Sequence, residues 1–265
     1  MELEIIGYIA AILVGLSLGL IGGGGSILTV PILVYLLGVE AADTAPAYSL
    51  FIVGTASLIG AVIKHKEGFV DMRTAAIFGL PAIVSVYLTR RLLVPSIPDE
   101  IFNLDNFIFT KRIFVMGLFA VLMILASVSM IKGRKDVEQN QSQKFNYPLI
   151  LVEGAIVGII TGLVGAGGGF VIIPALVMLS NLSMKKAVGT SLVIIAAKSL
   201  FGFLGDLSVL AIDWKLLLGF TAFAIAGIFI GNKLSHKIDG SKLKKGFGWF
   251  VFIMGAYILI KETVL

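Results

Sequence analysis

Long runs of apolar residues, separated by short polar stretches, dominate the chain. Five runs lie in the first half and five in the second: Ile5–Ile21, Ile27–Leu37, Thr44–Ile63, Thr74–Leu88, Ile113–Ile131, Tyr147–Val164, Phe170–Leu179, Ala187–Leu204, Trp214–Ile230 and Phe247–Ile260. The runs are apolar on all sides, which is typical of helices that do not face water. Most approach the roughly 20 residues that a helix needs to cross about 30 Å of hydrocarbon. The second run of each half is only about half as long as that.

The composition strengthens this interpretation. Hydrophobic residues make up 58% of the chain and charged residues only 14%, with a mean hydropathy of +1.02, whereas about a quarter of a soluble protein is charged. We therefore predict an all-α, multi-pass protein of the plasma membrane, with the lipid bilayer around it. The net charge of +5 is assigned to cytoplasmic loops, not to nucleic-acid binding. With no cysteine and two histidines, no metal or cofactor is expected.

The two halves are copies of one unit. Gly22 to Ser26, followed by Pro31, matches Gly165 to Gly169, followed by Pro174, at a constant spacing of 143 residues. Further matches at a spacing of 142 are Ser49 with Ser191, Gly60 with Gly202 and Asp71 with Asp213. We divide the chain into a first transmembrane repeat (1–131), a cytoplasmic linker (132–146) and a second transmembrane repeat (147–265).

The charges of the loops predict that the two repeats are inverted. Between the second and third runs the first repeat has Glu40 and Asp43, where the second has Lys185 and Lys186. Between the third and fourth runs the bias is reversed: Lys64, Lys66 and Arg73 in the first repeat, against Asp206, Asp213 and one Lys215 in the second. Basic loops face the cytoplasm, so equivalent loops lie on opposite sides. One basic group, diluted by acidic residues, argues against this: Arg90, Arg91, Lys111 and Arg112. If the chain instead crosses the membrane about eight times, with the short runs not counted as spans, the repeats are parallel.

Each glycine cluster separates a long apolar run from a half-length one. Glycine costs roughly 1 kcal/mol relative to alanine inside a helix, so the clusters need a reason. We predict a helix that breaks near the bilayer midplane and restarts, presenting free N–H groups and a positive dipole end to an anion. The alternative is close helix packing, which uses single glycines at every fourth position. The candidate anion-binding glycines are Gly22, Gly23, Gly24, Gly25, Gly165, Gly167, Gly168 and Gly169.

Lys198 is the most informative charged residue, because it lies well inside an apolar run. A lysine at the bilayer centre costs roughly 2.5–3.5 kcal/mol, so it needs a partner in the bundle interior. The functional hypothesis is that its ammonium holds a transported anion. The structural alternatives are an ion pair with Glu153 or Asp206, or extension of the side chain to an interface.

Hydroxyl groups on the third run of each repeat could also donate to an anion. Ser49, Thr190 and Ser191 are the candidates, although such groups in membrane helices often bond back to their own backbone. Glu153 has two interpretations, a proton-coupling carboxylate or an interfacial residue.

The paired glycine breaks, each followed by proline and then by an Ala-x-Gly-Thr-Ser-Leu-like stretch, resemble the TauE/SafE family of sulfite exporters. The second repeat matches well, with Ala187 to Leu192 intact. The first departs from the pattern: Ala47-Tyr48 replaces Gly-Thr, and Ser26 replaces the last glycine. The resemblance implies export of small sulfur-containing anions, such as sulfite or organosulfonates, across a prokaryotic plasma membrane.

The sequence thus predicts a secondary transporter that works by alternating access. It contains no ATP-binding motif, so the energy comes from a substrate gradient or from a coupling ion, a proton or sodium. Two alternatives remain open. One is a non-transporting membrane scaffold or partner subunit. The other is a membrane-embedded enzyme, for which the sequence has no cluster of catalytic residues.

Overall fold

All ten apolar runs form helical backbone in the computed structural model, which describes residues 2–104, 107–132, 147–179, 182–235 and 240–264. A helix satisfies its own backbone N–H and C=O groups, which hydrocarbon cannot do. Among the described residues, six helices are long and apolar enough to cross a membrane: Thr44–Lys66, Met72–Ser96, Lys111–Lys132, Met184–Asp206, Trp214–Ser235 and Lys245–Thr263. Shorter apolar helices accompany them: Ile6–Ile21, Gly25–Leu36 and Pro148–Val164. The protein is a multi-pass helical membrane protein, as predicted.

The first repeat begins with α1 (Glu2–Ile21), which ends at the first glycine cluster. The half-length run that follows is helical but irregular: a 3-10 segment (Gly22–Leu28), the short α2 (Thr29–Pro31) and a π segment (Ile32–Leu36). The remaining elements are helical except for one hairpin: α3 (Thr44–Lys66), α4 (Met72–Leu88), a second π segment (Thr89–Leu93), α5 (Val94–Ser96), β1 (Glu100–Leu104), β2 (Phe107–Thr110) and α6 (Lys111–Lys132).

The second repeat follows the same order. Its helices are α7 (Tyr147–Val164), α8 (Gly169–Leu179), α9 (Met184–Asp206), α10 (Trp214–Ser235) and α11 (Gly240–Val264). They correspond in turn to α1, the half-length run, α3, α4 and α6. Of the predicted linker, residues 133–146 lie outside the described residues.

The main helices of each repeat pack against helices of the other repeat. Helix α1 packs on α10, and its counterpart α7 packs on α4, while α3 packs on α9 and α6 on α11. Single contacts follow the same exchange: a Cβ on Gly60 would lie 3.2 Å from Leu192, and a Cβ on Gly202 would lie 3.3 Å from Leu50. Leu50 and Leu192 are equivalent positions. Because the start of α3 faces the end of α9, these two equivalent helices run antiparallel.

Two features depart from the sequence prediction. Residues 100–110 include an antiparallel hairpin with Phe102 stacked on Phe109 at 4.7 Å between ring centroids. The helical backbone does not stop near Leu88: α4, the second π segment and α5 form one continuous span from Met72 to Ser96, because apolar residues resume after Arg91. Arg90, which the sequence placed in a loop, therefore lies within the helix and is buried.

Apolar side chains also cover much of the outer surface. Leu80 is 64% exposed and Leu125 is 63% exposed, on helices that are apolar enough to span a bilayer. A soluble protein seldom exposes so many large apolar side chains together. These outer faces are the surface that contacts lipid.

Candidate functional site

The two glycine breaks meet in the middle of the protein. A Cβ on Gly23 would overlap the Cα of Gly169, and a Cβ on Gly169 would overlap the Cα of Gly23. Neither position has room for a side chain, so the backbones of the two repeats touch directly. The glycines that the sequence singled out are therefore required at this crossing.

The second break is the more irregular of the two. Gly165, Gly167 and Gly168 have φ values of 73°, 60° and 73°, in the left-handed region that side chains disfavour. These turns end α7 and allow α8 to begin at Gly169. Among the described residues, no hydrogen-bond acceptor is found for the backbone N–H groups of Ala166 and Gly167. The sequence prediction of a broken and restarted helix is confirmed here.

The first break has the same position but a different backbone. Gly22 has a φ of 73°, matching Gly165, and the chain then continues as a 3-10 segment that contains Gly24 and Gly25. The hydroxyl of Ser26 donates to the carbonyl of Gly23 at 2.7 Å. A Cβ on Gly25 would overlap Ser17 of α1. Contacts within the first repeat therefore fill the space around the first break.

Lys198 lies against the second break. Its side chain is fully buried, and its Nζ is 3.4 Å from the position that a Cβ on Gly168 would occupy. Nζ donates to Oγ1 of Thr161 at 2.7 Å, and the Thr161 hydroxyl in turn donates to the Val157 carbonyl at 2.7 Å. The lysine therefore points into the break and not toward an interface. The predicted alternatives of an ion pair with Glu153 or Asp206 are absent among the described contacts.

The first repeat has no such group. Leu18 and Ala56 stand at the positions equivalent to Thr161 and Lys198, and both are fully buried. The equivalent positions of the first repeat therefore lack an ionisable group, and the surroundings of the two breaks differ.

Thr190 has a structural partner at the edge of this region. Its Oγ1 accepts a hydrogen bond from the N–H of Asp71 at 2.9 Å, and the equivalent N–H of Asp213 donates to the Tyr48 hydroxyl at 2.5 Å. Tyr48 stands where Thr190 stands in the other repeat. The two aspartates also cap α4 and α10 by accepting from Thr74 and Leu216. The departure of Tyr48 from the family pattern therefore conserves a hydrogen bond between the repeats.

The two repeated serines differ. Ser191 donates to the carbonyl of Val188 at 2.8 Å, the backbone bond that the sequence analysis gave as the alternative. Ser49 is fully buried, and its hydroxyl has no hydrogen-bond partner among the described residues. Ser191 lies one turn after Val188, which contacts Gly22 of the first repeat. Ser49 likewise lies one turn after Pro46, which contacts Gly165 of the second repeat. Both of these glycines have left-handed backbone.

A buried ion-pair cluster closes one end of the bundle. Arg90 pairs with Asp206 at 2.8 Å and also donates to the backbone carbonyl of Asp43 at 3.0 Å. The Asp43 carboxylate pairs with Lys111 at 2.8 Å. Three of the four basic residues that argue against the predicted orientation are therefore paired with carboxylates, since Arg112 pairs with Glu262 at 2.9 Å. Sequence reasoning missed this cluster, although the apolar residues that resume after Arg91 could have indicated it.

The opposite end of the bundle has a second group of polar residues, joined by fewer ion pairs and hydrogen bonds. Lys64 pairs with Glu67 at 2.9 Å, and the amide of Asn232 donates to Glu67 at 3.3 Å. Asn232 is the counterpart of Arg90. Lys185 lies over the ring of Phe69 at 5.6 Å, next to Lys64 at 6.0 Å from the same ring. The basic loops of the two repeats are therefore at one end, and Asp43 and Asp206 are together at the other.

Two small cavities lie at the ends of the bundle and not at the glycine breaks. One of about 50 Å³ is lined by the ion-pair cluster around Arg90. The other, of about 190 Å³, is lined by residues that include Tyr8, Leu37 and Asp213. Neither is lined by Lys198 or by a residue of either glycine cluster.

The chain was compared with known proteins. The family model described as "Sulfite exporter TauE/SafE" matches residues 7–258. A "Probable membrane transporter protein" of Xylella fastidiosa is 28% identical over 93% of this chain and 91% of its own length. Similar proteins with the same description include one from Methanocaldococcus jannaschii (28% identical, 97% of this chain and 94% of its own length) and YdhB of Bacillus subtilis (26%, 93% and 96%). No solved structure gives a significant match.

Proposed function

Because the chain belongs to the TauE/SafE sulfite exporter family and is a membrane transporter, we propose that it exports small sulfur-containing anions, such as sulfite or organosulfonates. The substrate class is taken from the family description and from the positive charge at the site. The transporter relatives favour this function over the scaffold and the embedded enzyme that the sequence left open. Transport is across the plasma membrane by alternating access.

The observation that carries the proposal is the position of Lys198 at the second glycine break. A fully buried ammonium needs a counter-charge, and its nearest partner, Thr161, is neutral. Beside it lie the N-terminus of α8 and two backbone N–H groups for which the described residues provide no acceptor, and both features attract anions. A sulfonate oxygen bound here would accept from Lys198 and from the Ala166 and Gly167 N–H groups.

The first repeat supplies the other wall of the site. Gly23 contacts Gly169, and Gly22 has the same left-handed backbone as Gly165. The uncharged backbone of Gly22 to Gly25 would therefore line the side of the site opposite the second break. Ser49 is buried with no hydrogen-bond partner among the described residues, so its hydroxyl is well suited to donate to the anion. Ser191 already donates its proton to Val188, whereas Thr190 accepts from Asp71 and keeps its own proton for the anion.

The orientation of the repeats is part of the proposal. The antiparallel packing of α3 on α9 supports inverted repeats, because equivalent helices of parallel repeats run in the same direction. The basic loops around Lys64 and Lys185 share one end, which we assign to the cytoplasm. The Arg90 cluster then closes the outer end, and opening it would release the anion outward.

Flux into proteoliposomes tests the function. Vesicles containing the purified protein should accumulate labelled sulfite or a labelled organosulfonate, and Lys198→Met should abolish that flux. Lys215→Met, which removes an exposed lysine at the start of α10, is the matched control and should transport normally. No flux with any sulfur anion would contradict the proposal and favour a scaffold.

A further inference from the structure

Lys198 is a fully buried basic residue that has no acidic partner among the described residues. The ion pairs among the described residues join other groups: Lys64 with Glu67, Arg90 with Asp206, Lys111 with Asp43 and Arg112 with Glu262. Thr161 provides one neutral acceptor for the Lys198 side chain, and the Thr161 proton is already donated to Val157.

The titratable groups on the elements that pack against α9 lie away from Lys198. They are Tyr48, Lys64, His65 and Lys66 on α3, Arg73 and Tyr87 on α4, Arg90 and Arg91 on the second π segment and, within residues 148–164 of α7, Glu153; α8 and the 3-10 segment have none. Lys64 lies beside Gly189 and Arg90 beside Gly205. At 1.5 Å per residue these points are about 13 Å and 10 Å from Lys198 along α9. Glu153 precedes Thr161 by two turns, about 12 Å along α7.

The empty site therefore favours the neutral amine. Transferring an ammonium from water to a fully buried position without an opposite charge is strongly unfavourable. The neutral amine keeps its hydrogen bond to Thr161. An anion at the second break reverses the preference, because it supplies the missing charge. Binding of the anion and binding of a proton are then linked, and each strengthens the other to the same degree.

We propose that Lys198 is the coupling-proton site, and that the protein carries one proton together with each anion. The amine takes a proton from the aqueous phase as the anion enters, giving an ammonium–anion pair, and both leave together on the other side. The pair is electrically neutral, so the membrane potential neither drives nor opposes its movement, which follows the combined gradients of the anion and the proton. The inference rests on the proposed function, and it assigns the coupling ion to a proton and the coupling group to Lys198, not to Glu153.

The experiment measures protons taken up per anion bound. Methanesulfonate is a suitable probe because it stays a monoanion throughout the range from pH 6 to 9. The full-length protein in detergent, weakly buffered without sulfonate buffers, is titrated with sodium methanesulfonate while a glass electrode follows the pH. Parallel calorimetric titrations give the affinity at each pH.

We expect wild-type protein and Lys215→Met to take up close to one proton per anion in the alkaline part of this range. Their affinity should fall as the pH rises, by up to about ten-fold per pH unit for one linked proton. Lys198→Arg should bind the anion without taking up a proton and with an affinity that does not depend on pH, because arginine stays charged. Lys198→Met should bind at least about ten-fold more weakly.

The outcomes separate the two proposals. Binding by the wild type without proton uptake, at a pH-independent affinity, overturns proton coupling and leaves anion transport intact. Undiminished proton uptake by Lys198→Arg also overturns the role of Lys198. If no sulfur anion binds the wild type, both proposals are wrong. Should the arginine variant fail to fold, the proton count of the wild type still decides.

Discussion

The two glycine breaks occupy equivalent places in the two repeats, yet they differ in backbone and in the side chains that face them. The first break has one left-handed glycine and runs on as a 3-10 segment closed by Ser26. The second has three left-handed glycines and faces Lys198 and Thr161, whose equivalent positions in the first repeat are Ala56 and Leu18. The same position in the two repeats therefore has polar groups on one side only.

We expect the largest loss of stability from substitutions at the point where the two glycine breaks cross. Gly23→Ala and Gly169→Ala each place a Cβ on the backbone of the other repeat, and backbone atoms cannot move aside as a flexible side chain can. We expect both variants to lose the folded, monodisperse protein on size-exclusion chromatography. Gly117→Ala in α6, where a Cβ meets nothing within 4 Å, is the control. Normal behaviour of either crossing variant would contradict the contact between the breaks.

The next effect compares the two ends of the bundle. Arg90→Ala leaves Asp206 buried without a partner, which costs about 3–5 kcal/mol. Asn232→Ala, at the equivalent position, removes a single amide hydrogen bond, at a cost of about 1 kcal/mol. Thermal unfolding in detergent should therefore show a much larger loss for Arg90→Ala. Equal losses would mean that the two ends are closed with similar strength.

We expect smaller and equal losses of stability at Tyr48 and Thr190, which accept equivalent hydrogen bonds in the two repeats. Tyr48→Phe and Thr190→Val each leave a backbone N–H, of Asp213 or Asp71, without its acceptor. Each should cost about 1–3 kcal/mol, measured as a fall in the unfolding temperature. Tyr87→Phe, whose hydroxyl has no hydrogen bond among the described contacts, should be neutral. If only one of the first two variants is destabilised, the exchange of roles between Tyr48 and Thr190 is not real.

The smallest effect concerns a loop carboxylate found in the first repeat only. Burial raises the pKa of Glu40, but hydrogen bonds from the N–H groups of Thr44, Asp43 and Ala42 outweigh it and lower the pKa below its ordinary value. A lowered pKa means stability that is present at neutral pH and lost as the pH falls through the lowered value. Unfolding temperatures measured from pH 6 down to pH 3 should fall slightly less for Glu40→Gln than for wild type. Identical slopes would count against this cap.

The sequence was sufficient for features that depend on local pattern and on repetition. Run lengths predicted all ten helical segments, and the spacing of 143 residues predicted that Gly22 and Gly165 have equivalent roles. The sequence could not predict the hydrogen bond from Lys198 to Thr161 or the pair of Arg90 with Asp206, because each joins residues brought together only by the packing of the helices. The roles of Thr190 and Ser191 were ambiguous for the same reason: a hydroxyl that donates to a ligand and one that bonds the protein have the same sequence signal.

The proposed anion site lies at the second break and does not involve both breaks equally. Ser17 and Thr161 are buried hydroxyls that contact equivalent glycines, Gly25 of the first break and Gly168 of the second, so Ser17→Ala and Thr161→Val form a matched pair. Methanesulfonate affinity, measured by calorimetry at pH 6.5 on the purified protein, should fall about ten-fold for Thr161→Val, since a hydrogen bond in a charged group's network contributes roughly 1.5 kcal/mol. It should stay within about two-fold of wild type for Ser17→Ala. Equal losses for the two variants, or an unchanged affinity for Thr161→Val, would contradict the claim.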